Sequence, residues 1–138
     1  MLKDRLLVQT LVKKNVEYVW DVYHNPKYII NWNHASDDWY CPTAMNDLVV
    51  GGKFTYRMSS NDDKYSFDFE GIYTKIEKPS FFAYVMTDGR EVDVYFRKHL
   101  EGTEIFIFFD PEKENPKELQ QMGWQSILDN LKLYTESL

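Results

Sequence analysis

Apolar and polar positions follow two different periods along this chain, and the change falls near residue 46. Before it, "DRLLVQTLV" (residues 4–12) alternates weakly and reads as a strand. Asn15 is placed to cap a short helix, "VEYVWDVY", in which Val16, Val19, Trp20 and Tyr23 recur at helical spacing. "HNP" interrupts that helix, because the residue before a proline is held away from helical geometry. Pro26 can then open a second helix, "PKYIINW", at the first helical position. "WNHASDDWYCP", residues 32–42, is expected to follow as a loop.

Beyond residue 46 the period is two, the mark of strands. "GGKFTYRMSS" sets Phe54, Tyr56 and Met58 on one face and Lys53, Thr55, Arg57 and Ser59 on the other. "YSFDFEGIY" turns Tyr65, Phe67 and Phe69 inward and Ser66, Asp68 and Glu70 outward. "FFAYVM" is joined by a "DG" hairpin to "REVDVYF", where Val92, Val94 and Phe96 oppose Glu91, Asp93 and Tyr95. "EIFIFFD" is apolar on both faces and is expected to be covered on both sides. The pattern predicts an antiparallel sheet of about six strands.

The helical period returns at the end of the chain. Asn115, Pro116 and Glu118 supply an N-cap, a first-turn proline and a capping-box acid. Trp124, Leu128 and Leu131 form a stripe, with Leu119, Met122 and Ile127 close by. Gly123 costs about 1 kcal/mol against alanine in a helix interior, and it reads as a residue that lets the helix lie close to a sheet. A strand, two helices, a long meander and an amphipathic helix assemble most economically as an α+β grip, the curved sheet wrapped around the terminal helix.

At 138 residues, 43% of them hydrophobic and 17% aromatic, the chain suits one domain over residues 1–138 with a sizeable core. A single cysteine excludes an internal disulfide framework and fits a reducing compartment. The first residues hold no signal-peptide core, and the longest apolar runs are too short to span a bilayer, so a cytoplasmic location is expected. Twenty-two acidic against sixteen basic residues give a net charge of −6, which opposes nucleic acid and anionic membrane surfaces as partners.

The cluster in "WNHASDDWYCP" is a candidate for metal binding, nucleophilic catalysis or the wall of a pocket. Structural zinc needs four nitrogen or sulfur ligands, and here one cysteine and one histidine stand beside Asp37 and Asp38, so no metal is expected. Nothing near Cys41 supplies the positive charge or helix N-terminus that would activate its thiol. Asp68 and Glu70 alternate with Phe67 and Phe69, so they face away from the apolar side, with Arg57 and Lys53 as cross-strand partners. "VVGGKF" lacks the lysine–serine or lysine–threonine pair of a phosphate loop, and no Gly-x-Ser-x-Gly elbow occurs. No catalytic residue, metal or cofactor is assigned. The pocket-wall reading remains.

"VEYVWDVYHNPKYIINW", "NDLVVGGKFTYRM", "FDFEGIYTKIEKPSFFAY", "DGREVDVYF" and "GWQSILDNLKLY" occur in an order that resembles the activator of heat-shock chaperone ATPase homologue family (AHSA1-like), within the START-like or SRPBCC superfamily. The resemblance spans essentially the whole chain. It implies a helix-grip fold, START-like or Bet v 1-like, with a cavity between sheet and C-terminal helix that accepts apolar ligands. On that frame Trp32, His34, Trp39 and Tyr40 would roof one end of the grip. Phe54, Tyr56, Met58, Phe67, Phe69, Tyr84, Met86, Val94 and Phe96 would line the sheet, faced by Met122 and Trp124 from the helix. The same aromatic face equally suits a packed core. The leading expectation is a binder or carrier of a small apolar or aromatic molecule. A cyclase, aldolase or hydratase using His34 with Asp38 or Tyr56 is the second reading. A protein acting on a chaperone through its acidic sheet surface is the third, and a homodimer is the other partner left open.

Overall fold

The computed structural model describes residues 4–138. In chain order the elements are β1 (Leu6–Val12), α1 (Val16–His24), α2 (Pro26–Trp32), β2 (Trp39–Asn46), β3 (Lys53–Ser60), β4 (Ser66–Glu77), β5 (Phe81–Met86), β6 (Glu91–His99), β7 (Gly102–Phe109) and α3 (Lys117–Ser137). The strands form one curled antiparallel sheet in the order β1-β7-β6-β5-β4-β3-β2. Consecutive strands from β2 to β7 pair as a meander, while α1 and α2 carry the chain from the β1 edge to the β2 edge. This is the α+β helix grip that the patterning and the resemblance imply.

Local signals explain the two short helices. The Asn15 side chain accepts from the Tyr18 N–H at 2.9 Å and caps α1. Asn25 works twice: its N–H donates to the Asp21 carbonyl to close α1, and its side chain accepts from the Lys27 N–H to open α2 ahead of Pro26. At the expected hairpin, Gly89 takes φ +91°, a backbone region that costs glycine nothing.

Among the described residues seven strands form, one more than expected, because the segment from Trp39 belongs to the sheet and not to a loop. That strand hides in the sequence. It is an edge strand, where the proline Pro42 is tolerated, and its register slips between Tyr40 and Thr43. Both features break the two-residue period by which strands are recognised.

Alternation sorts the remaining strands as expected over most of their length. Phe54, Tyr56, Met58, Phe82, Tyr84, Val92, Val94 and Phe96 are buried on the concave face. On the other face Arg57 meets Asp68 at 3.1 Å and Lys53 meets Glu70 at 3.0 Å, the pairs expected from strand period. The burial of β4 is graded rather than uniform. Phe69 is half-buried and Tyr73 fully buried, but Phe67 is 52% exposed and Tyr65, before the strand starts, 69% exposed. In β7 only one face is fully buried, by Ile105, Ile107 and Phe109. Phe106 and Phe108 stand half-buried on the convex face beside Tyr95, with the Arg97 guanidinium 5.2 Å from the Phe106 ring centroid, so the expected second covering layer does not form among the described residues.

α3 lies along β1. Leu128 and Leu131 are buried, and Trp124 stacks on Phe109 with ring centroids 4.0 Å apart and planes at 6°. The N-cap is Pro116 rather than Asn115, and no side chain caps the helix. The preceding turn is tied instead by Gln120, whose Oε1 accepts from the Glu112 N–H while its Nε2 donates to the carbonyls of Glu112 and Asn115. Glu112 in turn accepts from the N–H of Glu114 and of Asn115, which leaves Asn115 in a turn and not at a cap.

Candidate functional site

A cavity of about 300 Å³ lies between the concave face of the sheet and α3. Its sheet wall is made by Phe54, Tyr56 and Met58 from β3, Phe67, Phe69 and Tyr73 from β4, Phe82 and Tyr84 from β5, and Ile107 from β7. α3 contributes Gln120, Gly123, Trp124, Ile127 and Leu128, and Tyr23, Trp32, Asn33 and Ala35 complete the lining. The rings brace one another. Phe54 stacks on Tyr56 at 4.8 Å and meets Tyr84 edge-on at 4.8 Å, while Phe69 meets Trp124 edge-on at 6.0 Å. Phe67 both lines the cavity and reaches solvent, which marks the mouth.

Two glycines shape this space in opposite ways. A Cβ at Gly71 would stand 2.5 Å from the Phe54 ring and 2.8 Å from that of Tyr84, so β4 lacks a side chain where those rings cross it. A Cβ at Gly123 would meet nothing within 4 Å. Gly123 therefore leaves the cavity unfilled, rather than permitting a close approach of helix to sheet.

Four phenols give the cavity a polar side. The Tyr56 hydroxyl donates to that of Tyr73, which donates to Asn46 Oδ1 at 2.7 Å. Asn46 Nδ2 donates in turn to the His24 carbonyl at 2.8 Å. The hydroxyls of Tyr23 and Tyr84 have no hydrogen-bond partner among the described residues. They are also not among the sealed, unpartnered polar atoms, which are Trp20 Nε1, His24 Nε2 and His34 Nδ1, so they open on the void. Desolvation raises all four phenols, Tyr73 to about 12 despite its hydrogen bonds, so each stays a neutral donor.

Of the residues expected at the site, Trp32, Phe54, Tyr56, Met58, Phe67, Phe69, Tyr84 and Trp124 lie in the cavity wall. The others lie elsewhere. Trp39 packs on Phe67 at 5.8 Å, just outside. Tyr40 is exposed and donates to Asp63 at 2.7 Å. Met86 packs against the core's edge, Val94 is wholly buried, and Phe96 packs against Trp20 and Tyr23. Met122 is 67% exposed on the solvent side of α3. Helix geometry explains this: residues two apart point about 200° apart, so Met122 and Trp124 cannot share a face. His34 lies outside the lining, its carbonyl accepting from Asn130 Nδ2, and Asp38 is exposed. Tyr23, Tyr73 and Phe82 also line the cavity and are not among the residues that the sequence assigns to it, although each continues an apolar stripe, Tyr23 on the face it shares with Val16, Val19 and Trp20 and Tyr73 by the step of two from Phe67 and Phe69.

"WNHASDDWYCP" is dispersed by the fold. Cys41 is buried within β2, its thiol pushed up to about 11 by burial against the opposing hydrogen bond of Asn33, while Asp37 and Asp38 face solvent. Among the described residues no three His, Cys, Asp or Glu side chains gather as metal ligands. Among the described residues no helix is long and apolar enough to cross a membrane.

A curled antiparallel sheet gripping a C-terminal helix across an aromatic cavity defines a helix-grip protein of the START-like kind. The chain belongs to the family of the Activator of Hsp90 ATPase homolog 1-like proteins, whose model matches residues 13–136. The AHSA1-like protein of Aeromonas hydrophila is 41% identical, with 96% of this chain and 92% of that one covered at a TM-score of 0.91. A protein of Cytophaga hutchinsonii is also 41% identical over 96% and 92% of the chains, at a TM-score of 0.84. One from Chromobacterium violaceum shares the fold at 17% identity, covering 96% and 98%, with a TM-score of 0.86. No curated protein matches the sequence.

Proposed function

We propose that residues 1–138 work as one domain that binds and carries a small apolar or aromatic molecule, held between the sheet and α3. The observation that carries this reading is unfilled volume: a core built only for stability would close about 300 Å³, whereas here Gly123 leaves the helix side of the space empty. Apolar walls with a few polar tips are the usual form of a small-molecule site. A protonated, unpaired Cys41 suits a reducing compartment such as the cytoplasm.

The test is Gly123→Phe, which projects bulk into the void while improving helix propensity. Wild-type protein should bind compounds from an apolar and aromatic panel, followed by calorimetry and tryptophan fluorescence. The variant should lose that binding and keep its melting temperature. If wild type binds nothing, carriage is refuted. Ligand-independent capture of a chaperone would then favour action through the protein surface.

A further inference from the structure

We propose that the cavity selects uncharged, flat ligands presenting a hydrogen-bond acceptor oxygen, such as a carbonyl, to the hydroxyls of Tyr23 and Tyr84. This rests on the carriage reading and adds to it the chemistry of the cargo.

The four phenols are not equivalent. Tyr56 and Tyr73 spend their protons within the protein, in the chain that ends on Asn46. Asn46 is fixed from the far side by its bond to the His24 carbonyl, so this chain has a set direction and offers the cavity no free proton. Gln120, another polar group in the wall, uses its amide on the backbone of Glu112 and Asn115. Tyr23 and Tyr84 alone among these phenols keep an unassigned O–H. The two rings come from different elements, α1 and β5, and both line the same cavity. A donor that opens on a mostly apolar cavity is left without a partner when an apolar ligand displaces water from it, and a carbonyl oxygen on the ligand supplies the missing acceptor.

Charge selection follows from what is missing. Among the described residues, no lysine or arginine lines the cavity. Arg90, whose charge reaches Tyr84, is bonded to Asp88 at 2.8 Å. A carboxylate in this space would be stripped of water with no cation to pair with, and that cost exceeds what two neutral hydrogen bonds return.

A matched series tests this: 2-methylnaphthalene, 2-acetonaphthone and 2-naphthoate, titrated at pH 8 by displacement of a neutral fluorescent probe such as N-phenyl-1-naphthylamine. The ketone should bind roughly tenfold more tightly than the hydrocarbon. The carboxylate should bind weakest. In Tyr23→Phe/Tyr84→Phe the ratio of ketone to hydrocarbon affinity should fall to near one, with near-UV circular dichroism confirming the fold. Equal binding of ketone and hydrocarbon, tightest binding of the naphthoate, or a ratio that survives the double substitution would each overturn the selection while leaving carriage intact. If none of the three compounds nor the probe binds, carriage itself fails and this inference falls with it.

Discussion

The side-chain amide of Gln125 occupies both hydrogen-bonding positions of the Gln9 backbone: Gln9 N–H donates to Oε1 at 3.3 Å, and Nε2 donates to the Gln9 carbonyl at 3.0 Å. Gln125 thus imitates one residue of an eighth strand on the free edge of β1. Its neighbours on the same helix face extend the pattern. Gln121 donates to the Leu7 carbonyl, Lys132 to the Leu11 carbonyl, and Glu136 accepts from the Lys13 N–H. Edge strands invite pairing with other chains, and here a polar stripe of α3 covers that edge. The helix therefore has two functions in the fold: one face closes the cavity and another finishes the sheet.

Gln125→Ala should remove three solvent-reachable hydrogen bonds, two to Gln9 and one to Asp129, and cost about 1–2 kcal/mol in urea unfolding. Amide exchange at Gln9 should quicken more than at Val8, whose strand partner is Ile107 on β7. Combining it with Gln121→Ala should promote self-association, read by light scattering. Unchanged exchange at Gln9 would mean that the edge is protected by packing alone.

His24 predicts an acid limit. Its Nδ1 lies 2.8 Å from the Trp20 carbonyl, which can only accept, so the proton sits on Nδ1 and Nε2 is the bare, sealed nitrogen. The ring is packed by Trp20 at 4.3 Å and Phe82 at 4.5 Å. Burial drives its pKa from 6.5 to about 4, against the Trp20 hydrogen bond and with help from the Lys78 charge. Between those values the unfolded chain takes up a proton that the folded chain refuses. Stability is thus complete above pH 6.5 and falls as the pH drops toward 4, by about 3 kcal/mol. Unfolding free energies at pH 7 and pH 4.5 should show this loss, and His24→Phe should flatten most of it.

Cys41 should be inert while the protein is folded. With its thiol raised to about 11 and its side chain sealed, reaction with a thiol-specific disulfide reagent at pH 8 should be slow in buffer and rapid in denaturant. Fast labelling of the native state would show that β2 opens locally.

Much of the grip was legible because its signals are local. Asn15, Pro26, the alternation of Phe54, Tyr56 and Met58, and the stripe of Leu128 and Leu131 each declare an element within a few residues. What escaped depends on partners distant in the chain. β2 is recognisable only from its pairing with β3, because Pro42 and the slip between Tyr40 and Thr43 break its period. The Tyr73–Asn46 bond joins residues 27 apart, and the Gln125–Gln9 clasp joins residues 116 apart. Val94 and Phe96 share an inward face with true wall residues, yet they lie behind it, since alternation tells side from side but not depth.

The two cavity glycines should respond to the same substitution with opposite sign. At Gly71 an added methyl would press into Phe54 at 2.5 Å and Tyr84 at 2.8 Å, rings that are themselves buried and held by Tyr56 and Tyr73. They can yield only by disturbing the aromatic wall, so Gly71→Ala should cost about 1–3 kcal/mol, the range for overpacking. At Gly123 the methyl enters open space within a helix, and the gain in helix propensity, about 1 kcal/mol, is uncompensated by any clash. Chemical denaturation of the two variants separates the effects: Gly71→Ala should lower the midpoint and Gly123→Ala raise it. Destabilisation by Gly123→Ala would mean that α3 sits closer to the sheet in solution than the open space beside that glycine implies, and the cavity would be smaller by the same displacement.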